Sequence, residues 1–257
     1  MEGYEGFKSK IYKKTGIDLN SYKERQMKRR IESLITRNNF SSYDTYFDAI
    51  SSNKKLMDEF INYLTINVSE FYRNPQQWEI LESTIIPNLL KSKSKIKIWS
   101  SACSTGEEPY SLVMLLTKFF TLSQISVLAT DIDEGALNKA KQGVYSEKSL
   151  DNLPKQFIDL FFTKLNGTYK IKDEIKNQVS FKKFNLLEDE YPNQCDLILC
   201  RNVMIYFTEE AKNIMYKKFH DSLSSEGVLF VGSTEQIILP NRYNLAPVKT
   251  FFYKKAK

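Results

Sequence analysis

The stretch of this sequence best suited to chemistry is residues 98–111, Ile-Trp-Ser-Ser-Ala-Cys-Ser-Thr-Gly-Glu-Glu-Pro-Tyr-Ser. An apolar run stops at small residues, turns at Gly106 and leads into an apolar helical pattern. This order predicts a strand, a tight turn and a helix N-terminus, where α/β folds bind nucleotide-like ligands. Glu107 and Glu108 in the first helical turn would repel a phosphate, which disfavours a dinucleotide. The alternative is that both are ordinary first-turn residues that favour the helix dipole.

A second signal follows about 25 residues later, where the apolar run 126–129 ends in Thr-Asp-Ile-Asp. An acidic residue that closes the second strand, here Asp131, is suited to accept hydrogen bonds from ribose hydroxyls. S-adenosylmethionine contains adenosine, a sulfonium and an ammonium but no phosphate. Together, Asp131 and the acidic turn therefore favour this cofactor.

Two further polar stretches are candidates for chemistry. Residues 200–207, Cys-Arg-Asn-Val-Met-Ile-Tyr-Phe, follow the apolar strand 195–199, so Arg201, Asn202 and Tyr206 are expected at the carboxyl end of a central strand, beside the cofactor. A buried arginine rarely lacks a partner, whereas a tyrosine at such a junction is often part of the core. Residues 65–74, which end in Arg73 and Asn74, fit either an active-site segment or a structural linker.

The elements that position these residues fall into two groups. Up to about residue 65 only helical patterns occur, with an apolar stripe at Met27, Ile31, Leu34 and Ile35. From about residue 96 strands and helices alternate, with strands predicted at 95–100, 125–130, 195–200 and 228–233 and a last, antiparallel one at 250–253. Short broken runs, among them 169–171 and 179–181, predict a small antiparallel insertion. The predicted organisation is a helical domain at 1–65, a linker contributing to the active site at 66–94, and a cofactor-binding domain at 95–257 with an inserted β subdomain at 143–182.

The bulk composition is that of a soluble globular protein, with 42% hydrophobic and 26% charged residues in 257. The sequence has no apolar run near 18 residues and no signal-peptide pattern, so we expect a cytoplasmic protein without membrane insertion. It has a single histidine, and its three cysteines do not follow metal-ligand spacing. We therefore expect reduced thiols and no metal site.

The net charge of +6 is concentrated near the N-terminus, where residues 8–37 hold ten Lys or Arg against three acidic residues. Such a face is either simply solvated or attracts nucleic acid, anionic lipid or an acidic protein surface. The segment lacks the interleaved aromatic residues that single-stranded RNA binding usually requires. Nucleic acid is therefore not the expected partner.

Taken together, these stretches resemble the CheR family of chemotaxis receptor methyltransferases over nearly the whole chain. The resemblance rests on the helical N-terminal part, a linker of the form Thr-x-Asn-x-Thr/Ser-x-Phe-Phe/Tyr-Arg, the turn at 102–111, Ala-Thr-Asp-Ile-Asp at 129–133, residues 200–207, and a closing Gly-Ser-Thr-Glu at 232–235. Two positions depart from the usual pattern: Ser69 stands in place of threonine and Tyr72 in place of phenylalanine. Neither change removes the hydroxyl or the aromatic ring.

The resemblance implies a Rossmann-like class I S-adenosylmethionine-dependent methyltransferase domain with a small antiparallel β insertion, preceded by a small all-α domain. It also implies methyl transfer to receptor glutamates, which forms glutamyl methyl esters and S-adenosylhomocysteine. Arg73 and Tyr206 are the expected catalytic residues, Asp131 would hold the ribose and Glu107 the methionine end. The expected cofactor contacts are Asn67, Ser69, Arg73, Glu107, Asp131, Asn185, Leu186, Cys200, Arg201 and Asn202, with Asn185 and Leu186 framing the adenine.

The expected partner is the cytoplasmic part of a chemotaxis receptor, whose methylation helices are rich in glutamate. The residues expected to dock on these helices are basic: Arg25, Lys28, Arg29, Arg30 and Arg37. A monomer is expected. Two alternatives remain open at this point: an S-adenosylmethionine-dependent methyltransferase that acts on RNA or a small molecule, and a non-catalytic sensor of the cofactor.

Overall fold

The computed structural model describes residues 2–91 and 93–256, and the chain forms two compact units. The first unit comprises the chain up to Asn67 together with Tyr206–Met215. The second comprises Val68–Ile205 and the residues from Tyr216 onward. In the described ranges, no helix has the length and apolar character that crossing a bilayer needs.

The first unit is all-α. Its four N-terminal helices are α1 (Tyr4–Thr15), α2 (Glu24–Arg37), α3 (Tyr43–Ser52) and α4 (Lys54–Thr65). The side chain of Ser42 accepts a hydrogen bond from the Thr45 N–H at 3.2 Å and caps α3, as the serine pair before this helix would favour. The predicted stripe of α2 is buried, and aromatic rings from α1, α3 and α4 fill the core between the helices.

The second unit contains ten strands in chain order: β1 (Ile98–Ser100), β2 (Val127–Asp131), β3 (Val144–Ser146), β4 (Phe162–Leu165), β5 (Thr168–Ile171), β6 (Val179–Lys183), β7 (Cys195–Cys200), β8 (Leu223–Val231), β9 (Leu245–Lys249) and β10 (Phe252–Lys255). Its helices are α5 (Pro75–Ile80), α6 (Ile86–Leu90), α7 (Glu107–Leu116), α8 (Glu134–Gln142), α9 (Lys155–Phe161) and α10 (Asp173–Lys176), and α11 (Glu209–Ser222) runs through both units.

Seven of the strands form one sheet in the order β6-β2-β1-β7-β8-β10-β9. The first five are mutually parallel, and β10 pairs antiparallel with both β8 and β9. The central strands β1 and β7 are buried along their whole length, which explains their near-continuous apolar sequences. The carboxyl ends of β1, β2 and β7 meet at one edge, where open α/β sheets bind ligands. The predicted Rossmann-like fold is confirmed, as are the all-α N-terminal domain and the small antiparallel sheet.

The antiparallel insertion is smaller than predicted. It consists of the three-stranded sheet β3-β5-β4, which ends at Ile171. The prediction of an insertion extending to residue 182 is wrong, because β6 pairs in parallel with β2, from Val127 opposite Val179 to Asp131 opposite Lys183. As an edge strand, β6 exposes Ser180 and Lys182 and therefore shows the alternation that is typical of an antiparallel strand.

Residues 66–94, predicted as a linker, are mostly helical. Helix α5 continues through a wider π-helical turn at Leu81–Ile85 into α6. Trp78, Leu81 and Ile86 from these turns are buried in the core of the second unit. The structure thus places most of this stretch in the domain core rather than in a linker.

Candidate active site

The turn between β1 and α7 is held by a backbone hydrogen bond to β2, and neighbouring side chains leave no room for a Cβ atom at Gly106. The Cys103 N–H donates to the Thr130 carbonyl at 2.9 Å, which ties the turn to β2. Gly106 has a φ of 95°, and a Cβ atom there would lie 2.9 Å from the Cβ of Ala140 and 3.1 Å from the hydroxyl of Tyr145. Both the backbone conformation and the packing therefore require glycine.

Asp131 ends β2 and faces this turn. Its carboxylate accepts hydrogen bonds from the Ser104 N–H at 2.7 Å and from the Asp133 N–H at 3.0 Å. Burial raises the pKa of Asp131 to about 6, and the backbone N–H donors oppose that rise. A buried acceptor group thus lies beside the turn at the end of the second strand, as the sequence predicted.

Glu107 supplies a second buried carboxylate at the same edge. The Thr105 hydroxyl donates to it at 2.7 Å, the Ser69 side chain also forms a hydrogen bond with it, and burial raises its pKa. In the part of the chain that the structure describes, neither Glu107 nor Asp131 has a Lys or Arg partner. Two such groups suit a ligand that brings hydroxyl donors and positive charge, and they disfavour a phosphate.

The segment that carries Ser69 and Arg73 is attached to the first turn of α7. The Tyr72 N–H donates to the Ser111 hydroxyl at 3.1 Å, and that hydroxyl donates to the Glu107 carbonyl at 2.7 Å. This pair of hydrogen bonds connects the Arg73 segment to the residue predicted to bind the methionine end of the cofactor.

The backbone of Arg73 is fixed by hydrogen bonds, and the charge of its guanidinium acts on Glu108, where it opposes the rise in carboxyl pKa that burial causes. Its carbonyl accepts from the indole N–H of Trp78 at 3.1 Å and from Arg201 Nη2 at 2.7 Å. On either side, Tyr72 and Asn74 have φ values of 51° and 61°, a left-handed conformation that non-glycine residues adopt rarely and that the surroundings must enforce. The half-buried guanidinium donates to the Val68 carbonyl at 3.0 Å and forms no ion pair within the described ranges.

The guanidinium of Arg201 is hydrogen-bonded to groups of the protein itself. Its side chain is only 2% exposed, its Nη1 lies 3.2 Å from Glu108 Oε2, and its Nη2 donates to Gln77 Oε1 at 2.9 Å as well as to the Arg73 carbonyl. The Ser100 hydroxyl donates to the other oxygen of Glu108 at 2.8 Å. Glu108 is therefore the buried counter-ion of Arg201, and the predicted contact of Arg201 with the cofactor stays a prediction.

The loop after β6 lies against the end of β2. The Phe184 N–H donates to the Asp131 carbonyl at 2.9 Å, which brings the following residues, Asn185 and Leu186, to the end of β2 where Asp131 lies. The Asn185 side chain accepts from the Leu187 N–H at 3.0 Å, and Leu186 is buried. These contacts are consistent with the predicted position of the adenine.

Cys200 ends β7 and is fully buried, and burial raises the pKa of its thiol well above the usual value. A protonated, buried thiol is a poor nucleophile, so no chemical role is expected of Cys200, and its predicted contact with the cofactor stays a prediction. Among the described residues, no group of three or more His, Cys, Asp or Glu side chains is placed to hold a metal ion.

The second unit thus brings nine of the predicted site residues to one edge of its sheet: Ser69, Arg73, Glu107, Asp131, Asn185, Leu186, Cys200, Arg201 and Asn202. Asn67 and Tyr206 belong to the first unit. Within that unit the Tyr206 carbonyl accepts from the Lys23 N–H at 2.9 Å. The roles of Asn67 and Tyr206 stay predictions.

Sequence reasoning missed three residues that organise the site. Gln77 and Glu108 bind Arg201, and Glu235 binds backbone N–H groups of the loop after β7. No local pattern reveals the first two roles, because the partners lie 124 and 93 positions apart. For Glu235 a signal existed, since it closes the Gly-Ser-Thr-Glu stretch at the end of β8.

Two of the predicted docking residues have a structural role in the first unit. The guanidinium groups of Arg30 and Arg37 lie 4.5 and 4.9 Å from the centre of the Tyr63 ring. Arg37 also pairs with Glu59 at 2.7 Å, and Arg30 donates to the Tyr63 carbonyl. These two arginines therefore join α2 to α4.

The remaining predicted docking residues are more available. Arg25 and Arg29 are exposed one turn apart on α2, and neither forms an ion pair within the described ranges. The Lys28 ammonium lies 5.4 Å from the centre of the Tyr4 ring. Arg25 and Arg29 are the better candidates for contact with an acidic partner.

Comparison with known proteins matches both parts of the chain to one family. The model described as "CheR methyltransferase, SAM binding domain" matches residues 67–252, and that described as "CheR methyltransferase, all-alpha domain" matches residues 2–65. A chemotaxis protein methyltransferase of Listeria innocua is 42% identical over 253 residues, which cover 98% of this chain and 97% of that protein. The corresponding protein of Borreliella burgdorferi is 33% identical (95% and 91% covered), and that of Escherichia coli is 31% identical (91% and 85% covered).

Proposed function

Since this chain belongs to the CheR methyltransferase family and carries its S-adenosylmethionine-binding domain, we propose that it methylates glutamate side chains of chemotaxis receptors. The product would be a glutamyl methyl ester, and the reaction would serve chemotactic adaptation. Relatives named chemotaxis protein methyltransferase support the class of substrate. We expect a cytoplasmic monomer that acts on the cytoplasmic part of the receptor.

One observation carries the proposal: an arginine on a fixed backbone, without an ion pair among the described residues, is attached to the turn that presents the buried carboxylate of Glu107, which has no Lys or Arg partner in the same ranges. The backbone of Arg73 is held by Trp78 and Arg201, and its segment is joined to Glu107 through Ser111. A cationic methyl donor and an anionic acceptor would each find an oppositely charged group there. Such a site suits transfer between a sulfonium and a carboxylate.

The residues present fit S-adenosylmethionine. Asp131 would accept hydrogen bonds from the ribose hydroxyls, Glu107 would bind the ammonium of the methionine end, and Asn185 with Leu186 would frame the adenine. When bound, the cofactor supplies a methyl group on a positively charged sulfur. The two buried carboxylates, which have no Lys or Arg partner in the described part of the chain, would then gain further hydrogen-bond donors and a positive charge.

The reaction places modest demands on this chain, because a glutamate carboxylate is already ionised at neutral pH and needs no general base. Its oxygen takes the methyl group, and one negative and one positive charge disappear. Arg73 would orient the carboxylate through paired hydrogen bonds, and the Tyr206 hydroxyl would add a weaker one. Too tight an ion pair with Arg73 would stabilise the ground state and slow transfer, so alignment and exclusion of water carry the catalysis.

The test is transfer of a radiolabelled methyl group from S-adenosylmethionine to a receptor cytoplasmic fragment, followed by treatment with base. Methyl esters hydrolyse in base and release volatile methanol, whereas N-methyl groups do not. Base-labile label on the receptor would support the proposal. Base-stable label, or label on RNA or a small molecule, would contradict it, and cofactor binding without any transfer would indicate a sensor.

The raised pKa of Asp131 predicts how affinity for S-adenosylhomocysteine depends on pH. Hydroxyl donors of the ligand favour the ionised carboxylate, so the free protein binds more protons than the complex near pH 6. Affinity should therefore rise as pH increases from about 5 to about 7, a range in which the ligand's α-amino group stays protonated. Calorimetric titrations across this range test whether the affinity for S-adenosylhomocysteine rises with pH.

The matched control is Asp131→Asn, which removes the titrating group. We expect weaker binding and a flatter pH dependence in this variant. A dependence as steep as that of the unchanged protein would assign the titration to another group.

The exposed arginines of α2 predict an electrostatic effect on the receptor step. The double variant Arg25→Glu/Arg29→Glu should raise the KM for the receptor roughly fivefold or more at low ionic strength, without a change in kcat, and the effect should shrink at high salt. Steady-state kinetics at two salt concentrations measure it. The control, Lys139→Glu/Lys141→Glu, makes the same charge change at exposed positions of α8. Equal effects in both variants would show that only the net charge matters.

A further inference from the structure

Glu235 is a buried carboxylate that the proposed chemistry does not use. It is 5% exposed and lies after β8, where its backbone N–H closes a turn onto the Gly232 carbonyl. Its two oxygens accept from the N–H groups of Asn202, Ile205 and Gly232, and the Met204 N–H also forms a hydrogen bond with it. Among the described residues it has no ion-pair partner within 4 Å, so its direct contacts are with backbone N–H groups, and Arg201 contributes a longer-range attraction.

The packing around this carboxylate excludes any side chain at Gly232. A Cβ atom there would lie 2.3 Å from Glu235 Oε2 and 2.8 Å from the Asn202 nitrogen. Gly232 has no unusual φ, so the close approach of the carboxylate and the loop is what requires glycine. The Gly-Ser-Thr-Glu stretch is thus a device that brings one carboxylate onto the loop after β7.

The loop bound by this carboxylate connects three residues of the predicted site. Arg201 and Asn202 lie at its start, and Tyr206 follows its end directly. Asn202 has a φ of 59°, a left-handed conformation that its surroundings must maintain. Glu235 supplies the acceptors for the backbone N–H groups of both Asn202 and Ile205.

We propose that Glu235 is a positioning residue for methyl transfer, which holds residues 202–205 and thereby sets the backbone of Arg201 and Asn202. The catalytic effect depends on the proposed function. The hydrogen bonds that Glu235 accepts from the loop, here called the clamp, are a property of the free protein. A carboxylate is needed because both oxygens must accept, whereas the amide of glutamine would turn an N–H₂ group toward at least one N–H donor.

A second buried carboxylate, on the strand β7 that precedes the loop, provides a matched control. Asp196 is 4% exposed near the start of β7, at the end away from the site. It accepts from the Lys97 N–H at 2.9 Å and from the Ser224 hydroxyl at 2.6 Å, and it pairs with Lys93. Changing Asp196 to Asn removes a comparable buried charge without touching the loop after β7.

The experiment compares full-length Glu235→Gln and Asp196→Asn with the unchanged protein. Amide hydrogen exchange at Asn202, Met204 and Ile205, affinity for S-adenosylhomocysteine, kcat and KM for a receptor fragment, and thermal stability are measured. In Glu235→Gln we expect faster exchange at these amides, several-fold weaker ligand binding and a kcat lower by about tenfold or more. In Asp196→Asn we expect a lower melting temperature, with exchange at the loop and kcat within about twofold of the unchanged protein.

Unchanged exchange at the loop in Glu235→Gln, or equal losses of kcat in both variants, would overturn the proposal. Should Glu235→Gln fail to fold, Gly232→Ala tests the same clamp by displacing the carboxylate, and the same pattern is expected. If the unchanged protein transfers no methyl group to receptors, the proposed function fails. Exchange and ligand affinity then still decide whether Glu235 holds the loop.

Discussion

Replacement of Arg73 by alanine is expected to reduce the rate of methyl transfer by about 100-fold or more, with a smaller loss of affinity for the cofactor. The guanidinium lies on a fixed backbone next to the Glu107 turn and, unlike that of Arg201, forms no ion pair among the described residues. Without it the incoming carboxylate keeps its charge but loses its orientation. The effect should therefore fall on kcat more than on cofactor binding.

Arg73→Lys is the control for charge. Lysine keeps the positive charge but cannot form two parallel hydrogen bonds with a carboxylate. If orientation matters most, Arg73→Lys should be nearly as slow as Arg73→Ala, and if charge matters most, it should recover much of the rate. Single-turnover methyl transfer with saturating cofactor measures both variants, and near-normal turnover in Arg73→Ala would remove Arg73 from the mechanism.

Replacement of Arg201 by methionine is expected to lower the free energy of unfolding by about 3–5 kcal/mol, because the change leaves the buried carboxylate of Glu108 without its counter-ion. It also deprives the Arg73 carbonyl and Gln77 of a donor. Activity should fall as well, since the backbone of Arg73 loses one of its two supports. Denaturant unfolding and methyl transfer are measured on the same preparation.

The double variant Arg201→Met/Glu108→Gln separates the two effects. Neutralising Glu108 removes the unpaired charge, so the double variant should be more stable than Arg201→Met alone. Its activity should stay low, because the Arg73 carbonyl still lacks its donor. A double variant that is less stable than Arg201→Met would show that the unpaired charge of Glu108 is not the source of the lost stability.

The central strands were predictable from the sequence because both faces of each are buried. The sequences of β1 and β7 are short apolar runs. Strand β2 ends at Asp131, the acidic residue expected at the end of a second strand. The helical domain was equally clear, since the stripe of α2 repeats at helical spacing and its members are buried. Strand β6 was assigned to the wrong sheet because an edge strand and an antiparallel strand share the same alternation.

The candidate site was predictable where a residue follows directly from its element. Asp131 lies at a strand end and Gly106 before a helix, as predicted, whereas the role of Asp131 toward a ribose stays a prediction. The roles of Glu108 and Arg201 depend on each other across 93 positions, and pairings of that kind are decided by tertiary packing. The position of Arg201 directly after a central strand predicted it as a site residue, but only the structure shows that its guanidinium donates to the Arg73 carbonyl.

The connection from β2 to β6 has a consequence for how this protein evolves. These two strands are parallel neighbours, for which a dozen or so connecting residues suffice, yet residues 132–178 between them carry a whole three-stranded sheet. Strand β6 lies at the end of the large sheet, so this connection adds to an edge and leaves β1 and β7 undisturbed. The start of the insertion is nevertheless tied to the turn before α7, since the Tyr145 hydroxyl of β3 donates to the Thr105 carbonyl at 2.8 Å. We therefore expect changes of length to be tolerated at the exposed turn between β4 and β5 and not at β3.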